Sequence, residues 1–158
     1  MTAARRLAAW LYSTAGLVFL ADRLTKMWAE RALAGGPPIE VIPGVLQLNY
    51  TTNSGGAFGL GQSAPWLFAG ATVVVVAVIV AASLRLRHPA TAVALGLILG
   101  GGIGNLTDRA LRGDSVLSGR VVDFIDFQVW PVFNLADSAI VVGALLLVGT
   151  GLRRDREA

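Results

Sequence analysis

The sequence predicts an all-α membrane protein: four transmembrane helices, a small extracytoplasmic β segment and an outer loop. Three observations carry that prediction. Of the 158 residues, 54% are hydrophobic and only 15% charged, whereas a soluble domain carries about 25% charged residues. Four apolar runs have the length of a bilayer span. The basic residues gather in short segments at the ends of those runs. The mean hydropathy of +0.65 agrees that much of the surface faces a non-aqueous solvent. The length suits one domain rather than two, taken as 1–158 with spans at about 7–28, 65–84, 89–108 and 131–152.

Each span has its own signature. Leu7 to Ala21 is free of charge and continues through Asp22 to about Trp28. Arg5-Arg6 before it could mark a cleaved signal peptide, even a twin-arginine one. No small-residue cleavage site follows, however, and Asp22, Arg23 and Lys26 do. Pro65 to Leu84 is uncharged, and Pro89 to Leu106 is apolar and Gly-rich. Ser138 to Leu152 is uncharged and extends back to about Pro131, with only Asp137 inside. A spanning helix needs about 20 residues, and all four runs reach that with their polar ends.

Orientation follows from basic density. Arg5 and Arg6, then Arg85 and Arg87, then Arg153, Arg154 and Arg156 occupy very short segments on one side. Arg23, Lys26, Arg31, Arg109, Arg112 and Arg120 are spread over two long connections. The positive-inside tendency places both termini in the cytoplasm and the connections at about 29–64 and 107–132 outside. A pI near 10.2 therefore reflects membrane orientation, not a nucleic-acid partner. In the first outer connection, Ile39–Ile42 and Val45–Thr52 are β-rich and divided by Pro43-Gly44, which predicts a hairpin or strand pair. Trp28, Trp66 and Trp130 near the outer boundary, and Trp10 near the inner one, fit interfacial belts.

A helix rises about 1.5 Å per residue. Asp22 then lies about 24 Å above Arg6, Asn105 about 26 Å above His88, and Asp137 about 24 Å from Arg153. The hydrocarbon core is about 30 Å thick, so three helices place acids or amides at one depth, just inside the outer boundary. Asp22 and Lys26 are spaced i,i+4 and can pair. Asn105, Asp108 and Arg109 run i, i+3, i+4, and Asn134, Asp137 and Ser138 repeat that spacing. Ionisable groups inside a membrane usually face the bundle interior and mark function. Arg23, Arg31 and Arg112 read instead as helix-end residues snorkelling to water. Asp137 is too short to snorkel, with Ala136, Ala139 and Ile140 around it. Gly96, Gly100 and Gly104 form a small-xxx-small stripe that allows close helix approach, bringing Asn105 and Asp108 near a neighbour. A phosphate-cradling loop is not indicated, since no Gly-Lys-Ser/Thr signature is present.

The chain has no cysteine and one histidine, His88. Thiol nucleophiles, disulfides and thiolate metal sites are excluded, and a triad or His-rich metal site would rest on one residue. Carboxylates remain: besides those on the helices, the outer connections hold Asp114, Asp123 and Asp126. Two close carboxylates split their pKa values, so one can act as acid and the other as base. That suffices for peptide hydrolysis without metal, thiol or histidine. A hard-cation site of Asp and Asn oxygens and an ion or proton pathway through a transporter fit the same residues.

Five segments decide among these readings. They are Asp22-Arg23-Leu24-Thr25-Lys26, Asn53-Ser54-Gly55-Gly56-Ala57-Phe58-Gly59, Gly104-Asn105-Leu106-Thr107-Asp108-Arg109, Val121-Val122-Asp123-Phe124 and Phe133-Asn134-Leu135-Ala136-Asp137-Ser138. In this order on a four-span chain, they make the sequence resemble the bacterial lipoprotein signal peptidases (type II signal peptidases) along nearly its whole length. The resemblance implies a membrane aspartic protease that cuts prolipoproteins just before a diacylglyceryl-modified cysteine. It implies Asp123 and Asp137 as the catalytic dyad. Asn53, Gly55, Asn105, Arg109, Asn134 and Ala136 are implied to hold the substrate backbone and support the dyad. Asp108 is implied to be structural, holding Arg109, and Asp22 and Lys26 to form a structural pair. It implies no metal and no cofactor. The expected partners are the diacylglyceryl-prolipoprotein substrates and membrane lipid. A monomer is expected, in the bacterial cytoplasmic membrane, with its site near the extracytoplasmic face. The residues alone do not choose Asp123 over Asp126, since both lie in the apolar run Val121 to Phe127; the resemblance makes that choice. One departure is the stretch between Asp123 and Asn134, which is somewhat short for the family.

Overall fold

The computed structural model describes residues 2–55, 65–115 and 117–157, with the backbone alone for Pro65 and for residues 152–157. Gly56, Ala57, Phe58 and Gly59 of the second motif lie outside the described residues. The elements are α1 (Ala3–Leu33), β1 (Ile39–Ile42), β2 (Leu46–Asn53), α2 (Pro65–Ser83), α3 (Pro89–Leu111), β3 (Val121–Asp126) and α4 (Leu135–Glu157).

Helix α3 is the hub, packing against α1, α4 and α2. Its glycines explain why. A Cβ on Gly100 would lie 2.5 Å from the Ala15 carbonyl oxygen of α1, and one on Gly101 2.5 Å from the Ala136 carbonyl oxygen of α4. A Cβ on Gly104 would lie 2.5 Å from Oδ2 of Asp22. Consecutive glycines thus let two different helices touch the backbone of α3. The apolar core between these helices is built on Leu11, Ala15, Ile79, Ala92 and Leu99. Outside it, α2 turns Val74, Val78 and Trp66 outward, the signature of a helix whose solvent is itself apolar. By length and composition, Trp66–Ser83 and Pro89–Leu111 can each cross a membrane, and Leu135–Gly151 is a shorter apolar helix.

The chain is mostly helical, not all-α. It carries a three-stranded antiparallel sheet in the order β1-β2-β3. The expected hairpin is present: Ile39 pairs with Leu48 and Glu40 with Gln47. Its turn has the Val45 N–H donating to the Ile42 carbonyl at 3.0 Å and Gly44 at φ 68°. Pro43 then Gly44 is the type II pattern, in which the third residue needs positive φ. The third strand replaces the expected outer loop, with Thr51 opposite Asp123 and Asn53 opposite Val121. Its first four residues are buried on both faces, so it shows no alternation of apolar and polar residues.

Helix boundaries differ from the expected spans. At 31 residues, α1 is about 46 Å long, well beyond the hydrocarbon thickness of about 30 Å. Its last turns carry the sheet: Ala29 and Leu33 form a small core with Phe124 of β3, and Trp28 meets Phe124 edge-on. Helix α3 runs to Leu111 rather than 108. Helix α4 starts at Leu135 rather than 131, because Phe133 is held against the strand. Its N–H donates to the Ile125 carbonyl at 3.0 Å, and its own carbonyl accepts from the Ile125 N–H at 2.9 Å.

Candidate active site

The start of α4 is a capping box. The Oδ1 of Asn134 accepts the Asp137 N–H at 2.9 Å, and Oδ2 of Asp137 accepts the Asn134 N–H at 3.3 Å. The two side chains satisfy each other's orphan backbone donors. The i,i+3 spacing read as one helix face is therefore a helix start, and it fixes Asp137 beside the positive end of the α4 dipole.

Asn134 also links the two proposed dyad residues. Its Nδ2 donates to Oδ1 of Asp123 at 2.6 Å and lies 3.2 Å from Oδ1 of Asn105. Asn105 in turn donates from Nδ2 to Oδ1 of Asp137 at 2.8 Å. Two carboxylates, from β3 and α4, thus meet across two amides with no cation in direct contact among the described residues. Asp123 is 2% exposed, and its carboxyl is pushed up to about 7, first by burial and then by the charge of Asp137. Hydrogen bonds from Asn134 and Asn53 oppose that rise. Asp126 lies elsewhere: it accepts from Nε2 of Gln47 at 2.7 Å and from the Gln128 N–H at 2.7 Å. The Gln47 bond holds its carboxyl below the usual range.

Behind the pair lies a second cluster. Fully buried Lys26 sits 2.9 Å from Oδ2 of Asp22, 3.0 Å from Oδ2 of Asp108 and 2.8 Å from Oδ1 of Asn105. The expected Asp22–Lys26 pair is present, and Asp22 further accepts the Ala136 N–H at 3.1 Å, tying α1 to α4. Asp108 does not hold Arg109, as the resemblance implied. Its carboxylate pairs with Arg23, with Lys26 and with Nε of Arg112 at 3.0 Å, and it faces the Val122 N–H at 3.4 Å. Arg23 and Arg112 therefore do not simply snorkel, because a buried carboxylate offers them a stronger partner than water. Arg112 also forms a bidentate pair with Glu30 at 2.8 and 3.0 Å. Arg31, read the same way, is exposed.

Arg109 turns to the segment after β2, donating to the carbonyls of Ser54 at 3.0 Å and Gly55 at 2.7 Å. Its guanidinium also stands over the Phe68 ring at 5.9 Å. The Gly55 N–H donates to Oδ1 of Asn53 at 2.9 Å. Asn53 thus stands beside Asp123, to which it donates a hydrogen bond, and Gly55 is held by Asn53 and Arg109. Among the described residues, no group of three or more His, Asp or Glu side chains is arranged to hold a metal ion. Reading the residues one by one missed Arg23 and Arg112 as parts of this cluster. Arg23 reaches Asp108 from another helix, which leaves no signature in one dimension, whereas Arg112 stands i,i+4 from Asp108 and that spacing could have found it.

A helix bundle with a buried pair of acids at one end, capped by a small sheet, defines a helical membrane enzyme. A solved structure described as a bacterial membrane enzyme, determined by the in meso method at 2.3 Å, superposes with a TM-score of 0.80. It is 29% identical, covering 90% of this chain and 87% of its own. A second bacterial membrane enzyme, at 1.9 Å, gives 0.76 at 29% identity, with 90% and 92% covered. The chain belongs to the signal peptidase (SPase) II family, whose profile matches residues 14–153. The lipoprotein signal peptidase of Rhodococcus jostii (strain RHA1) is 44% identical over 138 residues, 87% of this chain and 70% of the relative. That of Desulfitobacterium hafniense (strain DSM 10664 / DCB-2) is 41% identical over 150 residues, covering 93% and 95%.

Proposed function

We propose that this protein is an aspartic endopeptidase that removes the signal peptide from prolipoproteins, cleaving on the N-terminal side of the diacylglyceryl-modified cysteine. The observation that carries the chemistry is the pair Asp123 and Asp137, bridged by Asn134 and Asn105. Like charges in one buried site cannot both ionise easily, so the pair holds one proton near neutral pH. Asp137 accepts two N–H donors at a helix start, while the buried Asp123 holds its proton up to about pH 7. Asp123 is then the acid and Asp137 the base.

The reaction follows from those roles. Water attacks the scissile carbonyl carbon and gives a proton to Asp137, while the Asp123 proton passes to the carbonyl oxygen. The resulting gem-diol returns a proton to Asp123 as the C–N bond breaks, and Asp137 protonates the leaving nitrogen. Both carboxyls end as they began. Asn53 and Gly55 line the approach to Asp123, Arg109 orders that edge, and Ala136 and Asp22 hold the start of α4.

The spans at about 7–28, 65–84, 89–108 and 131–152 make one domain of four crossings, with both termini in the cytoplasm. The pair then lies near the extracytoplasmic face, where a lipid-anchored cysteine places its scissile bond. The protein works as a monomer in the bacterial cytoplasmic membrane and meets its substrates through membrane lipid. The test is cleavage of a diacylated precursor by purified Asp123→Asn and Asp137→Asn variants. Each is expected to fold and to lose turnover; near-normal cleavage by either would sink the proposal.

A further inference from the structure

We infer that Lys26 is a positioning residue: by fixing how the Asn105 amide is turned, it presents an N–H rather than an oxygen to Asp137 and so assigns the shared proton to Asp123. The inference rests on the dyad reading above and says what decides the division of labour within the pair.

An ammonium only donates hydrogen bonds. Lys26 Nζ lies 2.8 Å from one end of the Asn105 amide, so that end is oxygen. The other end is then the NH₂, and it meets Oδ1 of Asp137 at 2.8 Å. Asn134 is fixed by the same logic. One end of its amide accepts the Asp137 N–H at 2.9 Å, so its other end is the donor that reaches Asp123 at 2.6 Å and Asn105 Oδ1 at 3.2 Å. Both oxygens of Asp137 therefore face N–H donors, one from Asn105 and one from the Asn134 backbone. A proton on either would point at another hydrogen. Asp123, which accepts from Asn134 and Asn53 but stands away from the positive end of α4, is the member assigned it.

Without Lys26, the Asn105 oxygen loses its shorter, charged donor at 2.8 Å and keeps the longer contact from Asn134 Nδ2 at 3.2 Å, so the hold on its orientation weakens. Turned over, the amide would offer its oxygen to Asp137 and favour protonation there, which reverses acid and base. The charged groups around the pair are Asp22 and Lys26 on α1, Asp108 and Arg109 on α3, Asp123 on β3 and Asp137 on α4. Of the two cations among them, Lys26 reaches the Asn105 side chain directly.

Lys26 is best removed together with one of its acids, so that no buried charge is left alone. The Asp22→Asn/Lys26→Met variant does this, and Asp108 keeps Arg23 and Arg112. The experiment is a double-mutant cycle against Asn105→Leu, with kcat and KM measured on a diacylated precursor. With Asn105 present, Asp22→Asn/Lys26→Met is expected to lower kcat about tenfold or more, with KM changed less than about twofold and folded yield retained. With Asn105→Leu, the same two substitutions should change kcat less than about twofold, because nothing is left to orient. Asp22→Asn alone, which keeps an oxygen for the Ala136 N–H and leaves Lys26 on Asn105, should lose clearly less kcat than Asp22→Asn/Lys26→Met.

Equal losses in both backgrounds, or no loss at all, would overturn the inference. If Asn105→Leu is too slow to follow, the side-chain amide resonances of Asn105 decide. They should shift in Asp22→Asn/Lys26→Met and not in Asp22→Asn alone, and unchanged resonances overturn the inference. Failure of the dyad reading would show differently, as retained turnover by Asp123→Asn or Asp137→Asn in the same assay.

Discussion

Two clusters of buried acids lie side by side at one end of this bundle. Asp22 and Asp108 are fully buried and answered by cations, Lys26 between them and Arg23 and Arg112 against Asp108. Asp123 is nearly as enclosed and Asp137 partly so, but both are answered by amides, from Asn105 and Asn134. The difference separates scaffold from chemistry. A carboxylate locked to cations is a fixed charge that joins α1 to α3. A carboxylate held by neutral donors beside a second carboxylate keeps a proton within reach and can pass it on.

The strongest way to break the comparison is to swap the consequences. Asp123→Asn or Asp137→Asn should lower cleavage by at least about 10³-fold while thermal unfolding in detergent stays near that of the unaltered protein. Asp108→Ala should do the opposite. It strands Lys26, Arg23 and Arg112 and should cost about 3–5 kcal/mol of stability, read as a lower unfolding temperature or lost folded yield. A mild effect there would show that the ion cluster is not structural.

The pH profile sharpens the contrast. In the proposed pair one proton is shared, and burial pushes the Asp123 carboxyl up to about 7, so kcat/KM should fall as pH rises through about 7. Asp126→Asn should leave that limb unmoved, since Asp126 is tied to Gln47 on the other part of the strand. Gly101→Ala tests the geometry between the clusters. The new methyl group meets the Ala136 backbone oxygen at 2.5 Å, pushing α4 from α3 at a cost of about 1–3 kcal/mol, with activity falling as Asp137 moves. The smallest effect is expected from Glu30→Gln, because the Arg112–Glu30 pair is surface-exposed and worth less than about 1 kcal/mol. Denaturation curves of the two proteins should nearly overlay.

Much of the fold was legible because its signals are local. Pro43-Gly44 marks the hairpin turn, and the apolar runs mark four helices to within a few residues. The glycine stripe on α3 announced close packing, and the Asp22–Lys26 spacing announced its ion pair. Strand β3 was not legible, because burial on both faces erases the alternation that identifies a strand. The late start of α4 was hidden for a related reason: Phe133 pairs with Ile125, a contact between segments that no periodicity records. Arg23 read as solvated because a sequence does not show that Asp108 waits on another helix; Arg112 stands i,i+4 from Asp108, a legible spacing that the snorkelling reading passed over.

The sequence by itself determined the kind of chemistry. With no cysteine and a single histidine, acids and amides are what remains, and their spacing from the basic helix ends sets their common depth. The tertiary structure decided which acids come together. Asp123 and Asp126 share one short apolar run, but pairing of β3 with β2 sends Asp123 to Asn134 and Asp126 to Gln47. It also decided how fully Asp108 is neutralised, because beside its i,i+4 partner Arg112 it gains Arg23 and Lys26 from another helix, and proximity in space, not in sequence, sets the Coulomb energy.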